Sequence, residues 1–213
     1  PIGDFISIQR LLTDLDIPFA RISPRMPLAD ELSIHCNDEQ ASFDVTQFLI
    51  DQGHQGLGFI KGDPIHAATA HRFEGYLRAL KANSIEYHGE YVQDGQFSFE
   101  SGRSATRALL DLRSPPSAII ASNDDMAAGT IFEARERGLR IPEDLSVVGF
   151  DDTPIASRIW PPLTTVRQPI VEMAEALTGL LIQKLRGDPD DSAERSFACH
   201  VVTRASTGPR LIN

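Results

Sequence analysis

Hydrophobic and polar positions follow two different periods along this chain, one typical of helices and one typical of buried strands. Apolar residues spaced three and four apart predict helices over residues 7–16, 39–52, 67–83, 99–112 and 168–186, and a further helix that ends at Arg137. Short apolar runs predict strands at IPFARI, SIHC, LGFIKG, residues 87–92, SAIIAS, LSVVGF and FACHVVTR. Their regular alternation predicts an α/β protein with parallel sheets that carry helices on both faces.

Polar residues follow four of these strands in turn. In open parallel sheets, ligands bind beyond the carboxyl ends of the strands, so these residues are the first candidates for a site. They are Asn37, Asp38, residues 63–66, residues 123–125, Asp151 and Asp152.

Composition narrows the class of protein. The 213 residues are 41% hydrophobic, which suits one large core or two small ones. A formal net charge of −10 does not favour binding to the negatively charged phosphates of DNA, so we do not expect these 213 residues to contact DNA. No run approaches the roughly 20 apolar residues that span a bilayer, and no signal peptide is visible. Cys36 and Cys199 are far apart in sequence, which is typical of a reduced compartment.

The run SVVGFDD ends a predicted strand with two carboxylates, which could form a catalytic pair, a metal site or a clamp for hydroxyl groups. Adjacent residues on an extended chain point to opposite sides, which disfavours a catalytic pair. No cluster of His or Cys has metal-ligand spacing, which disfavours a metal. The residues therefore favour one aspartate that accepts from ligand hydroxyls and one that caps a turn or helix.

Three further residues have both a structural and a functional interpretation. Asn123 could cap the helix that follows it or contact a ligand, and the acids beside it disfavour phosphate at that helix end. Arg72 lies at the border of an apolar helix face, and Phe97 stands in a turn before a helix. Phe97 could pack over the helix end or stack on a ligand ring, and the sequence leaves both open.

Motifs of catalysis are missing from the sequence. The glycines of GHQGLGFIKG precede or occupy a strand, so they are not a dinucleotide fingerprint. There is no G-x-S-x-G elbow, Walker A loop or H-E-x-x-H. We therefore expect that the chain is not an enzyme and that it binds neither a cofactor nor a metal.

Several longer motifs, in the right order and spacing, resemble the effector-binding domain of the LacI/GalR family of bacterial transcription regulators. They are FLIDQGHQGLGFIKGDP, HRFEGYLRAL, GQFSFESGRSATRALL, SAIIASNDDMAAGTIFEARERGLRIPEDLSVVGFDD and PPLTTVRQP. The resemblance implies two doubly wound lobes, as in periplasmic sugar-binding proteins, joined by three crossover strands. The first lobe would hold residues 1–37 and 166–197, and the second would hold residues 38–165 and 198–213. The family's DNA-binding headpiece and the opening units of the first lobe are missing, so we expect a fragment.

The resemblance also implies an effector site between the lobes. Arg72 matches an arginine that grips effector oxygens, and Asp151 matches an acceptor for hydroxyls or ring nitrogens. Asn123 matches a polar contact, Phe97 a stacking aromatic, and His66 a position that tunes effector choice. An arginine, acceptors and an aromatic together suit a sugar.

The implied partners are a small-molecule effector, a second copy in a homodimer, and operator DNA reached only through the missing headpiece. The implied location is cytoplasmic, with no membrane partner. The alternative is a periplasmic sugar-binding protein of a transport system. A third possibility is an enzyme that uses Asp151 or Asp152.

Overall fold

The computed structural model describes residues 6–24, 32–187 and 195–210. Its helices are α1 (Ile6–Asp14), α2 (Asp38–Asp51), α3 (Ala67–Ala82), α4 (Phe99–Leu110), α5 (Asp124–Glu136), α6 (Pro154–Arg158) and α7 (Ile170–Arg186). Its strands are β1 (Ala20–Ile22), β2 (Leu32–Cys36), β3 (Leu57–Ile60), β4 (Val92–Gln93), β5 (Ala118–Ala121), β6 (Ser146–Val148), β7 (Thr165–Arg167), β8 (Arg195–Phe197) and β9 (His200–Val202). A short 3₁₀ helix spans Gly89–Tyr91.

The larger sheet, which we call the second sheet, has the parallel order β4-β3-β5-β6. Successive side chains of a strand point to opposite faces, which divides the core into two layers. Phe59 packs with residues of α2 and α3 on one face. Its neighbour Ile60 packs with α4 and α5 on the other face. Gly75 lets α3 lie directly on α2, because a Cβ there would sit 2.1 Å from the Glu39 carbonyl oxygen.

The smaller sheet, which we call the first sheet, has the parallel order β1-β2-β8. Helix α7 covers it with an apolar stripe at helical spacing. The buried cluster between them contains Leu32, Ile34, Cys36, Met173, Leu177 and Leu180.

The chain passes between the two sheets at three places, which we call the crossover segments. The first is residues 36–38, between β2 and α2, the second is residues 167–170, between β7 and α7, and the third is residues 197–200, between β8 and β9. Strands β7 and β9 pair antiparallel beside the second sheet, with Val166 opposite Val201. Val166 is fully buried in the same cluster as Phe59. Strand β7, which leads into the second crossover segment, and β9, which follows the third, are therefore anchored on the second sheet.

The predicted fold class, α/β with parallel sheets covered by helices, is confirmed, and most predicted helices begin and end within two residues of the observed ones. Two strand predictions are wrong in detail. Half of the predicted strand at 87–92 is the 3₁₀ helix, and only Val92–Gln93 pairs with β3. The single strand predicted at FACHVVTR is two strands, because the chain leaves the first sheet between them. In the described part of the chain, none of the helices combines the length and hydropathy needed to cross a membrane.

Candidate functional site

All five residues predicted for the site lie at the carboxyl ends of the second sheet's strands. His66 begins α3 after β3, Phe97 follows β4, and Asn123 follows β5. Asp151 comes shortly after β6, and Arg72 reaches the same edge from the second turn of α3. The structure groups them into two neighbouring clusters, one of Arg72 with Asp151 and one of His66, Phe97 and Asn123.

Arg72 is a buried cation, with only 4% of its surface exposed, and the protein itself supplies its partners. Its Nε donates to Oδ1 of Asp38 over 2.7 Å, and its Nη1 donates to the Ser122 carbonyl oxygen. The guanidinium also lies 3.6 Å from the centre of the Phe150 ring. Burial alone would lower the pKa of Arg72, but the carboxylates of Asp38 and Asp151 outweigh burial and raise it. Arg72 is therefore a fixed positive charge.

Asp151 is the more open partner of Arg72. Its Oδ1 lies 3.5 Å from Nη2 of Arg72 and accepts a hydrogen bond from Nε2 of Gln168. Its backbone N–H donates to the Val166 carbonyl oxygen over 2.8 Å, which ties it to β7. Burial raises the pKa of Asp151 to about 6, although Arg72 opposes that shift. Among the described residues, Oδ2 of Asp151 accepts no hydrogen bond, so this oxygen can accept from a ligand.

Asp152 has a different role from its neighbour. Its Oδ2 accepts from Nε of Arg167 over 2.6 Å, and its Oδ1 accepts from Nη2 of Arg204 over 2.5 Å. Asp151 and Asp152 both have positive φ angles, 105° and 55°, so the premise of an extended chain is wrong at this point. The two carboxylates nevertheless have separate partners, and Asp152 is a structural residue that joins β7 to the segment after β9.

Asn123 caps α5 and also holds the loop that carries Phe97. Its Oδ1 accepts from the Met126 N–H over 2.9 Å, and its Nδ2 donates to the Phe97 carbonyl oxygen over 3.1 Å. The capping interpretation of the sequence therefore describes a real contact. Asn123 is buried, with 8% of its surface exposed.

Phe97 and His66 form an aromatic pair beside Asn123. Their ring centres are 5.5 Å apart, and the two rings pack edge to face. Phe97 has a φ of 56°, and its ring lies so close to Gly62 that a Cβ there would sit 1.9 Å from its Cζ. The His66 side chain makes no capping hydrogen bond to α3. Both side chains are half-buried, which leaves part of each ring open.

A cavity of about 710 Å³ opens next to this aromatic pair. Gly62 and Gln96 belong to its lining, together with Lys61 and Asp94, whose charged groups are 3.2 Å apart. Arg72 and Asp151 are not part of that lining. His66, Phe97 and Asn123 are not part of it either, so the cavity lies beside the predicted site residues without including any of them.

Sequence reasoning did not identify two residues that build the charged cluster. Asp38 was among the strand-end residues, but nothing in the sequence indicated that it would pair with Arg72. Gln168 lies within the PPLTTVRQP motif and donates to Asp151 from the second crossover segment. Both residues belong to crossover segments, and this position was the only sign of their role. They come close to Arg72 and Asp151 only in the assembled fold.

The charged cluster offers a buried guanidinium, an open carboxylate oxygen and an amide within one small region. Such groups make directional hydrogen bonds to hydroxyl and amine groups of a polar ligand. In the described part of the chain, no three His, Cys, Asp or Glu side chains are arranged to hold a metal ion.

Comparison with protein families identifies the architecture. A family model described as a periplasmic binding protein-like domain matches residues 46–207. The HTH-type transcriptional repressor CytR of Escherichia coli K12 is 35% identical over 206 residues, covering 93% of this chain and 60% of CytR. The chain thus spans about 60% of the length of this curated relative.

Solved structures give the same result. The transcriptional regulator CelR in complex with cellobiose superposes with a TM-score of 0.89 at 28% identity, covering 96% of this chain and 63% of CelR. A second match is a sugar-binding transcriptional regulator of the LacI family from Escherichia coli, complexed with phosphate. It gives a TM-score of 0.86 at 32% identity, and the match covers 98% of this chain and 76% of that regulator's chain. These matches confirm the periplasmic-binding-protein-like fold.

Proposed function

Because this chain belongs to the LacI family of transcriptional regulators, we propose that it is the effector-sensing part of such a regulator. The effector binds at the carboxyl ends of the second sheet, between the two lobes. The observation that carries this proposal is Asp151, a carboxylate held between Arg72 and the second crossover segment, whose Oδ2 accepts no hydrogen bond from the described residues.

The proposed effector is a sugar or a related hydroxyl-rich molecule. Asp151 accepts from its hydroxyls, Arg72 donates to its oxygens, and Asn123 adds a polar contact. The rings of Phe97 and His66 pack against its C–H face. CelR, which binds cellobiose, and the sugar-binding regulator of Escherichia coli support this class of ligand.

The proposed lobes are residues 1–37 with 166–197, and residues 38–165 with 198–213. Asp38 and Gln168 belong to crossover segments and contact Arg72 and Asp151 directly. A ligand that binds the closed arrangement better than the open one shifts the population toward closure. The crossover segments transmit that shift to the first lobe. Effector binding and operator binding are thereby coupled in free energy.

We propose the remaining properties from the family. The protein acts as a homodimer in the cytoplasm, has no catalytic activity, and binds operator DNA through a headpiece outside these 213 residues. The relatives are transcriptional regulators, which favours this function over a periplasmic sugar-binding protein of a transport system.

A thermal-shift screen of sugars and purines on the full-length protein tests the proposal. A ligand present at one hundred times its dissociation constant adds about 2.7 kcal/mol to the free energy of unfolding, which raises the melting temperature by several degrees. We expect a sugar to give this shift, and calorimetry with that sugar to show at least a roughly tenfold loss of affinity for Asp151→Asn, about 1.4 kcal/mol.

Asp125→Asn is the matched control, since Asp125 is exposed on α5 near the site. It should bind the sugar as tightly as the wild-type protein. Equal affinities of Asp151→Asn and wild-type protein would contradict the site. Chemical turnover of the bound sugar would contradict a purely sensing role.

A further inference from the structure

The two cysteines of the chain, which are far apart in sequence, lie side by side at the crossover segments. Cys36 ends β2 and Cys199 lies in the third crossover segment, after β8. These two strands pair in parallel with Cys36 opposite Phe197, and the Asn37 N–H donates to the Phe197 carbonyl oxygen over 3.0 Å. Cys199 follows Phe197 by two positions and packs against the buried cluster that contains Cys36.

Both cysteines are free thiols, and they differ in access to solvent. Cys36 is 2% exposed, whereas Cys199 is partly exposed. A hydrogen bond with Cys199 is the largest of the causes that raise the pKa of the Cys36 thiol, and burial is the second. The strand register and the shared buried cluster place the two thiols in one small region of the crossover segments.

Cys36 also connects this pair to the candidate site. Its Sγ lies 3.5 Å from Oε1 of Gln168 and 3.3 Å from Sδ of Met173. The same Gln168 side chain donates its Nε2 to Asp151. One amide therefore links the thiol pair to the carboxylate of the site.

We propose that Cys36 and Cys199 are a redox-sensitive thiol pair that oxidises to an intramolecular disulfide between the first and third crossover segments. The oxidant is a low-molecular-weight disulfide such as oxidised glutathione. The Cys199 thiolate attacks one glutathione sulfur, the glutathione disulfide bond breaks, and one glutathione leaves. Cys36 then loses its proton and attacks Sγ of Cys199, and the second glutathione leaves. Two protein thiols are oxidised and one glutathione disulfide is reduced to two thiols.

Exposure decides the order of these steps. The partly exposed Cys199 meets the oxidant first, and the buried Cys36 resolves the mixed disulfide. The second step is the slower one, because Cys36 is buried and must lose its proton before it can attack. Reduction by a thiol in excess reverses both steps.

The disulfide has a consequence for the site, which rests on the function proposed above. Oxidation removes the Cys36 S–H that lies beside Oε1 of Gln168, and it fixes two crossover segments to each other. Gln168 then holds Asp151 less firmly, and the lobes lose freedom to close. We expect the oxidised protein to bind its sugar about five- to tenfold more weakly, with the affinity restored by reductant.

Mass spectrometry of the full-length protein tests the disulfide without any effector. After incubation with oxidised glutathione and alkylation under denaturing conditions, we expect a product lighter than the reduced protein by two hydrogen atoms, with a peptide that joins Cys36 to Cys199. Cys36→Ser should instead retain one glutathione on Cys199. Cys199→Ser, which changes the more exposed thiol, should leave Cys36 unmodified.

Protein that keeps both thiols reduced, or that forms only disulfides between chains, would overturn the proposal. Adducts on both cysteines without the internal disulfide would do the same. If the internal disulfide forms and sugar affinity stays unchanged, the coupling to the site is wrong. Absence of sugar binding by the reduced protein contradicts the proposed function alone, since the mapped disulfide does not depend on a ligand.

Discussion

At the scale of single residues, the neighbours Asp151 and Asp152 differ in what their charges do to the folded state. Burial raises the pKa of Asp151 to about 6, so its ionised form is disfavoured in the folded protein. Burial acts on Asp152 as well, but hydrogen bonds from Arg204 and Arg167 outweigh it and lower its pKa. Ionised Asp151 therefore costs stability, whereas ionised Asp152 contributes stability.

This difference predicts opposite effects of the same substitution. At pH 8, Asp151→Asn should raise the free energy of unfolding by about 1–2 kcal/mol, since it removes a charge that the fold disfavours. The gain should disappear as the pH falls through about 6 toward the unfolded-state value, because Asp151 then becomes protonated. Asp152→Asn should lower the free energy of unfolding by about 1–3 kcal/mol at pH 8, with the loss fading as the pH falls through the lowered pKa of Asp152.

Urea unfolding of the three proteins at pH 8 and pH 4.5 follows the change at Asp151, and measurements continued below pH 3.8 follow the change at Asp152. If Asp151→Asn lowered the free energy of unfolding at pH 8, the ionised carboxylate would stabilise the folded protein, which contradicts the prediction. A gain in stability combined with lost sugar binding is what a residue kept for function predicts.

The sequence indicated the chemical types of the site residues but not their partners. Asp151 was recognised because a buried strand ends in a carboxylate, and Asn123 because an amide precedes a helix. Asp38 contacts Arg72 across 34 positions of sequence and Gln168 contacts Asp151 across 17 positions. Nothing local encodes these pairs, because they arise when the crossover segments meet the edge of the second sheet.

At the scale of elements, one buried carboxylate joins α5 to the strand that leads into the second crossover segment. Oδ2 of Asp124 accepts from the Thr153 N–H over 2.6 Å, and Oδ1 accepts from the Thr165 hydroxyl over 2.5 Å. Asp124 and Thr165 are both fully buried. Burial raises the pKa of Asp124, and the threonine hydrogen bonds oppose that shift. This contact sets the position of β7 relative to the helix.

Removing the hydroxyl should therefore weaken the attachment of β7. Thr165→Val keeps the shape of the side chain but leaves the buried carboxylate with one donor fewer, so we expect a loss of about 1.5–3 kcal/mol in urea unfolding. Thr178→Val is the control, because the Thr178 hydroxyl is on the exposed side of α7 and bonds only locally to Ala174. It should change stability by about 0.5 kcal/mol or less. A Thr165→Val protein as stable as wild type would show that Asp124 does not hold the strand.

Elements with strong periodicity were predictable, and short ones at the rim of a sheet were not. Helices α3 and α7 carry long apolar faces, which a window of sequence detects. Strand β4 has two residues at the sheet edge, and α6 has five residues. Such elements are stabilised by what they pack against, so their local sequence carries little signal.

At the scale of the whole molecule, α2, the second sheet and the segment after β9 meet at one buried histidine. Nδ1 of His54 lies 2.9 Å from the Ser117 hydroxyl, and Nε2 lies 3.0 Å from the Gly208 carbonyl oxygen. Because a carbonyl only accepts, Nε2 carries the proton of the neutral ring and Nδ1 accepts from Ser117. The contact of His54 with Gly208 depends on the return of the chain after β9.

Burial lowers the pKa of His54, and the bond to Gly208 only partly opposes that shift. The unfolded chain then binds a proton near pH 6.5 while the folded protein does not, so stability falls as the pH drops below about 6.5. We expect His54→Gln to reduce this slope between pH 6.5 and 5, at a cost in stability at pH 8. Asp151 contributes the opposite slope below about pH 6, and it is present in both proteins.

The difference in urea unfolding between wild type and His54→Gln therefore isolates the contribution of the histidine. His71→Gln is the control, because His71 is exposed on α3, and it should keep the wild-type slope. An unchanged slope in His54→Gln would mean that the ring is protonated in the folded state.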